Sequence, residues 1–192
     1  MNLTTRLSLL EEVQQQSELA WDEFSAIYSQ LLQRWLAGEG LQSTDADDIR
    51  QDVMLVVMNE IVHFQHSGRV GAFRCWLRRI LANRLMRFFR AKGRSGYTND
   101  LSIVADELFS DDSEVSRNWD LEHDRFIMMR LVESLESRFS HQSILIFKRV
   151  VLAGEDASLV ANEVGVTLGA LRVAQHRVLQ ALKTLADGLV AT

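Results

Sequence analysis

The chain has 192 residues, 47% hydrophobic and 24% charged, enough apolar material for one large or two small cores and too much for whole-chain disorder. Its 21 Lys+Arg against 26 Asp+Glu, net −5, argue as an average against a generic nucleic-acid binder, which is usually basic. A single cysteine, Cys75, excludes an internal disulfide and a Cys-based zinc knuckle, and no 18-residue apolar run offers a membrane span.

The complete lack of Pro beside only 10 Gly predicts an all-α fold. Residues 1–16 read as an N-terminal tail without the apolar centre of a signal peptide, so a soluble cytoplasmic protein is expected. Residues 17–38 form an amphipathic helix in which Trp21, Phe24, Tyr28, Leu31 and Trp35 recur at spacings of three and four. Thr44 can cap a second helix, with Asp45, Asp47 and Asp48 in the first turn, where the helix dipole favours negative charge. Its buried stripe is Ile49, Val53, Val56, Val57, Ile61 and Phe64. Asp48, Asp52, Leu55 and Asn59 lie on another face, either a solvated surface or a docking surface. After a loop from His63 to Gly71, a third helix runs from about Ala72 to Ala91. Phe73, Trp76, Leu77, Ile80, Leu81, Leu85 and Phe88 would pack, Arg79, Asn83, Arg87 and Arg90 would form an outward row, and Arg74 and Arg78 a second one.

The charge is strongly segregated. Residues 1–60 hold 3 basic and 11 acidic residues, residues 61–99 hold 9 basic and none acidic, and residues 100–140 hold 4 basic and 11 acidic. A block of +9 repels itself unless a polyanion or acidic neighbours compensate it. One reading is a solvated face paired with those acidic segments. The other is a nucleic-acid interface: eight of the nine charges are Arg, suited to phosphate, and Phe73, Trp76, Phe88 and Phe89 are interleaved with them, as base-stacking aromatics would be.

Residues 96–118, rich in Ser, Asp, Glu and Asn, read as a flexible acidic linker, with room for a short helix, between helical domains at 17–95 and 119–192. Helices are expected over 121–135 and 141–153, closed by Gly154. The segment from Ala157 has the spacing of a helix-turn-helix: small Ala161 at the crossing, Gly165 in the turn, Val166 plugging it and Thr167 capping the last helix. Leu171, Ala174, Val178, Leu182 and Leu185 would then face inward, leaving Arg172, Gln175, His176 and Arg177 for a DNA groove. An ordinary helical hairpin is the alternative. Elsewhere, His63 and His66 form H-x-x-H without a third ligand, and no phosphate loop or nucleophile elbow occurs. Neither an enzyme active site, a metal nor a cofactor is expected.

Two segments carry a resemblance. Asp45-Ala-Asp-Asp-Ile-Arg-Gln-Asp-Val-Met-Leu and Gly71-Ala-Phe-Arg-Cys-Trp-Leu-Arg-Arg-Ile-Leu-Ala-Asn-Arg-Leu, followed by the helix-turn-helix, resemble bacterial RNA polymerase sigma factors of the extracytoplasmic-function type. Trp119-Asp120 and the Val173-to-Leu179 stretch are similar to forms from planctomycete-like bacteria. The resemblance covers about residues 20–190. It implies a sigma region 2-like domain over 17–95, a region 4-like domain over 119–192, and promoter-specific initiation. Its implied partners are core RNA polymerase (β′ and β subunits), promoter DNA and an anti-sigma factor or other regulator. By position, Asp48, Gln51, Asp52 and Leu55 would dock on polymerase. His66, Arg69, Arg74, Trp76, Arg78, Arg79, Asn83, Arg87 and Arg90 would bind and melt the downstream element. Thr167, Arg172, Gln175, His176 and Arg177, with Lys148 and Arg149 as phosphate contacts, would read the upstream element. A stand-alone helix-turn-helix regulator and a sigma-mimicking adaptor that blocks polymerase are the alternatives.

Overall fold

A computed structural model describes residues 6–65, 67, 71–92 and 99–190. The chain divides by its contacts into two compact units, built on residues 9–126 and 127–191. All regular elements among the described residues are helical.

The first unit begins with a helix inside the expected tail. α1 (Arg6–Gln14) buries Leu9 and Val13, and the Gln14 side-chain amide donates to the carbonyls of Ile61 at 3.0 Å and Phe64 at 2.6 Å. Ser17 then caps α2 (Glu18–Gly38) through its hydroxyl, which accepts from the Ala20 amide. The apolar stripe of α2 is buried from Phe24 on, Phe24, Leu32 and Leu36 completely, while Trp21 at its start is half-buried. α3 (Ser43–Glu60) starts one residue before the expected Thr44 cap. Its N-cap is Gln42, which makes no side-chain capping bond. Asp45 lies in the first turn and is buried instead of facing solvent. A 3-10 turn, Ile61–His63, ends α3.

α4 (Ala72–Lys92) packs on α3, which also packs on α2. Leu77, Leu81, Ala82 and Leu85 of α4 meet Ile49, Val53, Val57 and Ile61 in the buried set. Aromatic rings close one end. Phe73 lies edge-on to Phe24, Tyr28 and Phe64, with centroids 5.2–5.8 Å apart, and Trp76 tilts onto Phe64 at 5.0 Å. Of the adjacent pair at the far end of α4, Phe89 is buried and Phe88, expected in the core, is only half-buried.

The stretch 96–118 departs from the expected linker. α5 (Asn99–Glu107) packs on α4, and α6 (Glu114–Ser134) begins inside the stretch. Ala105, Leu108 and Trp119 are fully buried. The Ser113 and Ser116 hydroxyls donate to the Glu107 carbonyl at 2.7 and 3.1 Å, and Ser113 also accepts from the Ser116 amide. Polar composition reads as linker, but these hydroxyls satisfy backbone groups at a tight helix junction. The division between the units consequently falls inside α6, at 126/127.

In the second unit, α7 (His141–Phe147) is capped by Ser140 and runs into a π turn, Lys148–Leu152, where the Ala153 amide reaches back to the Lys148 carbonyl at 3.0 Å. Asp156 caps α8 (Ala157–Val164), accepting from the Ser158 and Leu159 amides. Gly165 follows at φ 73°, in the left-handed region. α9 (Leu168–Val190) leaves at 103° to α8, with Thr167 Oγ1 accepting from the Ala170 amide at 3.1 Å. Ile146, Val160, Ala161 and Leu171 form the centre, and Val150, Val164, Val166 and Ala174 pack around it. Among the described residues no single helix is long and apolar enough to cross a membrane.

Candidate nucleic-acid interface

The face expected on α3 is present. Asp48, Gln51 and Asp52 are exposed, and Leu55 is 54% exposed. Together with Arg87, Phe88 and Ala91 of α4 they line a groove of about 370 Å³. An apolar residue held in water between carboxylates and an arginine is a surface suited to a partner with both apolar and charged groups.

Five of the six α4 arginines divide into two sets, and the sixth, Arg84, is half-buried. Arg79, Asn83, Arg87 and Arg90 are all exposed, as their spacing predicts. The Asn83 amide donates to its own helix at the Arg79 carbonyl, 2.9 Å away. Arg74 and Arg78, expected as a second outward row, turn onto α6 instead. Arg74 Nη1 donates to both oxygens of Asp124, at 2.7 and 2.9 Å, and its Nε lies 3.3 Å from Asp120. Arg78 is only 2% exposed. It bonds to Asp111, to Asp120 at 3.2 Å and to the Ser116 carbonyl at 3.5 Å. Arg79 is nearer the boundary, 3.7 Å from Asp111 but largely exposed.

Local sequence explains why Arg74 sits there. Gly71 has φ 82°, and a Cβ on it would come within 2.7 Å of the Arg74 guanidinium carbon. The Trp119 indole donates to the Arg74 carbonyl at 3.4 Å and packs edge-on against Trp35 at 5.4 Å. Burial pushes the Asp124 carboxyl up, but the His123 ring hydrogen bond and the Arg74 charge outweigh it and hold the group below the usual carboxylate range. Burial pushes the Cys75 thiol up against the lowering effect of Arg78, so it is a neutral, half-buried group and not a thiolate nucleophile. Trp76 is half-buried against Phe64 and Phe73. His66 and Arg69 lie outside the described residues.

In the second unit, Thr167 caps α9, Arg172, His176 and Arg177 are exposed, and Gln175 is half-buried. These positions share the N-terminal half of α9, the part of such a helix that reaches base edges. Lys148 and Arg149, expected as phosphate contacts, hold carboxylates instead. Lys148 pairs with Glu136 at 2.8 Å, and Arg149 with Glu155 and, at 2.6 Å, Glu163. The hydrogen bonds that Arg149 donates to Glu155 and Glu163 raise its pKa further, so it stays charged.

Sequence reasoning missed Asp111, Asp120, Asp124 and Gln14. A signal existed for two of them: Asp120 and Asp124 repeat at i, i+4, the same spacing as Arg74 and Arg78.

Residues 26–95 match the family described as Sigma-70 region 2. The chain is similar to proteins named ECF RNA polymerase sigma factor SigD from Mycobacterium bovis and Mycobacterium tuberculosis. It is 34% identical to them over 146 residues, which is 76% of this chain and 64% of each relative.

Proposed function

We propose that this chain, a member of the extracytoplasmic-function sigma factors, is a cytoplasmic promoter-specificity subunit without enzymatic activity of its own. It binds core RNA polymerase, selects a promoter and helps to open it. The observation that carries the reading is the pairing, within the region 2 match, of an exposed Asp48–Gln51–Asp52–Leu55 face with an exposed arginine row on the neighbouring helix. The first suits a protein partner and the second a polyanion.

In this mechanism the α3 face docks on the β′ subunit of polymerase. Arg79, Asn83, Arg87 and Arg90, with Trp76, His66 and Arg69, meet the downstream element as it opens, and Arg172, Gln175, His176 and Arg177 read the upstream element. Arg74, Arg78, Lys148 and Arg149 would reach phosphate only by exchanging their carboxylate partners. The β subunit and an anti-sigma factor complete the proposed set of partners.

Run-off transcription with core polymerase on genomic promoter fragments tests the proposal. Initiation at discrete sites supports it. Core binding without initiation would make the chain an adaptor, and sequence-specific duplex binding without polymerase would make it a stand-alone regulator. Asp48→Ala with Asp52→Ala is expected to weaken core binding at least tenfold in a pull-down titration. Unchanged binding would remove the docking assignment.

A further inference from the structure

We infer that Asp111, Asp120 and Asp124, which lie outside the region 2 match at 26–95, determine which arginines of α4 reach DNA: they withdraw Arg74 and Arg78 and confine the nucleic acid to the row Arg79, Asn83, Arg87 and Arg90. The inference rests on the sigma-factor reading and refines its downstream-element site.

The three carboxylates are built into the fold. They are carried by the junction before α6 and by its first turns, and Trp119, between them in sequence, is fully buried. Ser113 and Ser116 tie the same junction to Glu107. A phosphate seeking Arg78 would have to displace Asp111 and Asp120 from a guanidinium that is 2% exposed. One seeking Arg74 would have to displace Asp124, both of whose oxygens accept from Nη1, and Asp120 beside Nε. Two carboxylates on each guanidinium already supply charge-assisted bonds of the kind a phosphate offers, so exchange gains little.

The same carboxylates also act outward. Asp111 and Asp124 side chains are 59% and 57% exposed, and the residual charge of Asp111 stands 3.7 Å from Arg79. A phosphate approaching that side of α4 meets like charge well inside the screening length of about 8 Å. Arg87 and Arg90, two turns or more further along, have no carboxylate within ion-pair distance among the described residues. The arginines on the α6 side of α4 are thus paired, while Arg90 and Arg87, the latter sharing a groove with Asp48 and Asp52, stay exposed.

The test is the salt dependence of binding to a fluorescent fork-junction DNA with one single-stranded arm, using the full-length chain both free and bound to core polymerase. Arg87→Ala and Arg90→Ala should each make the log–log salt slope shallower by about 0.7–0.9, whereas Arg74→Gln should leave it unchanged. Asp124→Asn should steepen it by a similar amount, and adding Arg74→Gln should cancel that gain. Asp22→Asn on α2, an equal change in net charge, should have no effect. The inference is overturned if Arg74→Gln flattens the slope as much as Arg87→Ala, if Asp124→Asn changes nothing, or if Asp22→Asn mimics it. Asp124 is exposed, so its Asn variant tests the idea even if the Arg74 variant fails to fold, which a thermal melt reports. Failure to bind core polymerase would sink the sigma-factor reading separately, because the free-chain series still compares the two arginine rows.

Discussion

Among the described residues Trp119 is the largest fully buried side chain, in a stretch whose polar neighbours disguise it. Removing a buried Trp typically costs about 3–5 kcal/mol through lost transfer energy and a residual cavity. Trp119→Ala is expected to fall in that range by urea denaturation, and a loss below about 1 kcal/mol would mean that the ring is not part of the core. Asp124 gives a pH signature. A carboxyl whose folded pKa lies below its unfolded value adds stability that is present above the unfolded value, about 3.9, and is lost as pH falls through the folded one. Acid denaturation should therefore be shallower in Asp124→Asn than in the parent on the limb below about pH 4, and an NMR titration should place the Asp124 midpoint below that of free Asp. Single residues were unequally legible. The burial of Phe24, Leu77 and Leu171 follows from periodicity. The inward turn of Arg78 does not, because its partners lie 33 and 42 residues away and no local rule links them.

Among elements, the α8–α9 turn was the clearest in sequence because its residues have local reasons: Thr167 accepts a backbone amide, Ala161 packs closely, and Gly165 takes a positive φ; the Asp156 cap of α8 was not anticipated. Gly165→Ala keeps the open space beside the turn, since a Cβ there meets nothing within 4 Å. The expected cost is then the left-handed conformation alone, about 1–2 kcal/mol, seen as a lowered melting temperature of the second unit. A neutral result would mean that the turn relaxes. The N-cap of α3 was misplaced by two residues: Thr44 has a capping side chain, but the helix begins at Ser43 with Gln42 as its N-cap and no side-chain capping bond. α5 and the start of α6 were hidden for a different reason. Their hydroxyls and carboxylates, which look solvent-facing in a list of residues, are spent on the Glu107 carbonyl and on arginines.

For the whole molecule, the net charge of −5 is an average over a basic block at 61–99 and acidic segments on either side of it. The α2–α3–α4 succession, the exposed acidic face of α3 and the basic helix could be read from sequence, whereas α1, α5 and the split at 126/127 could not, the split because it interrupts a continuous helix without a change in composition. Intramolecular pairing leaves only part of the +9 block available. The free chain is therefore expected to bind duplex DNA weakly and with a shallow salt slope, and addition of core polymerase should raise both affinity and slope in an anisotropy titration. Tight, steeply salt-dependent binding by the free chain would show that the acidic residues compensate little.

The π turn at Lys148–Leu152 makes the second unit sensitive to the number of its residues as well as to their kind. A π turn is one residue wider than the helix around it. Deleting a residue there would let α7 run on as regular helix and rotate one side against the other by about 100°. Arg149, which meets Glu155 and Glu163 across that turn, would swing off both. Within these five positions, most exchanges of one side chain for another should be absorbed, while a single-codon deletion should be the damaging event.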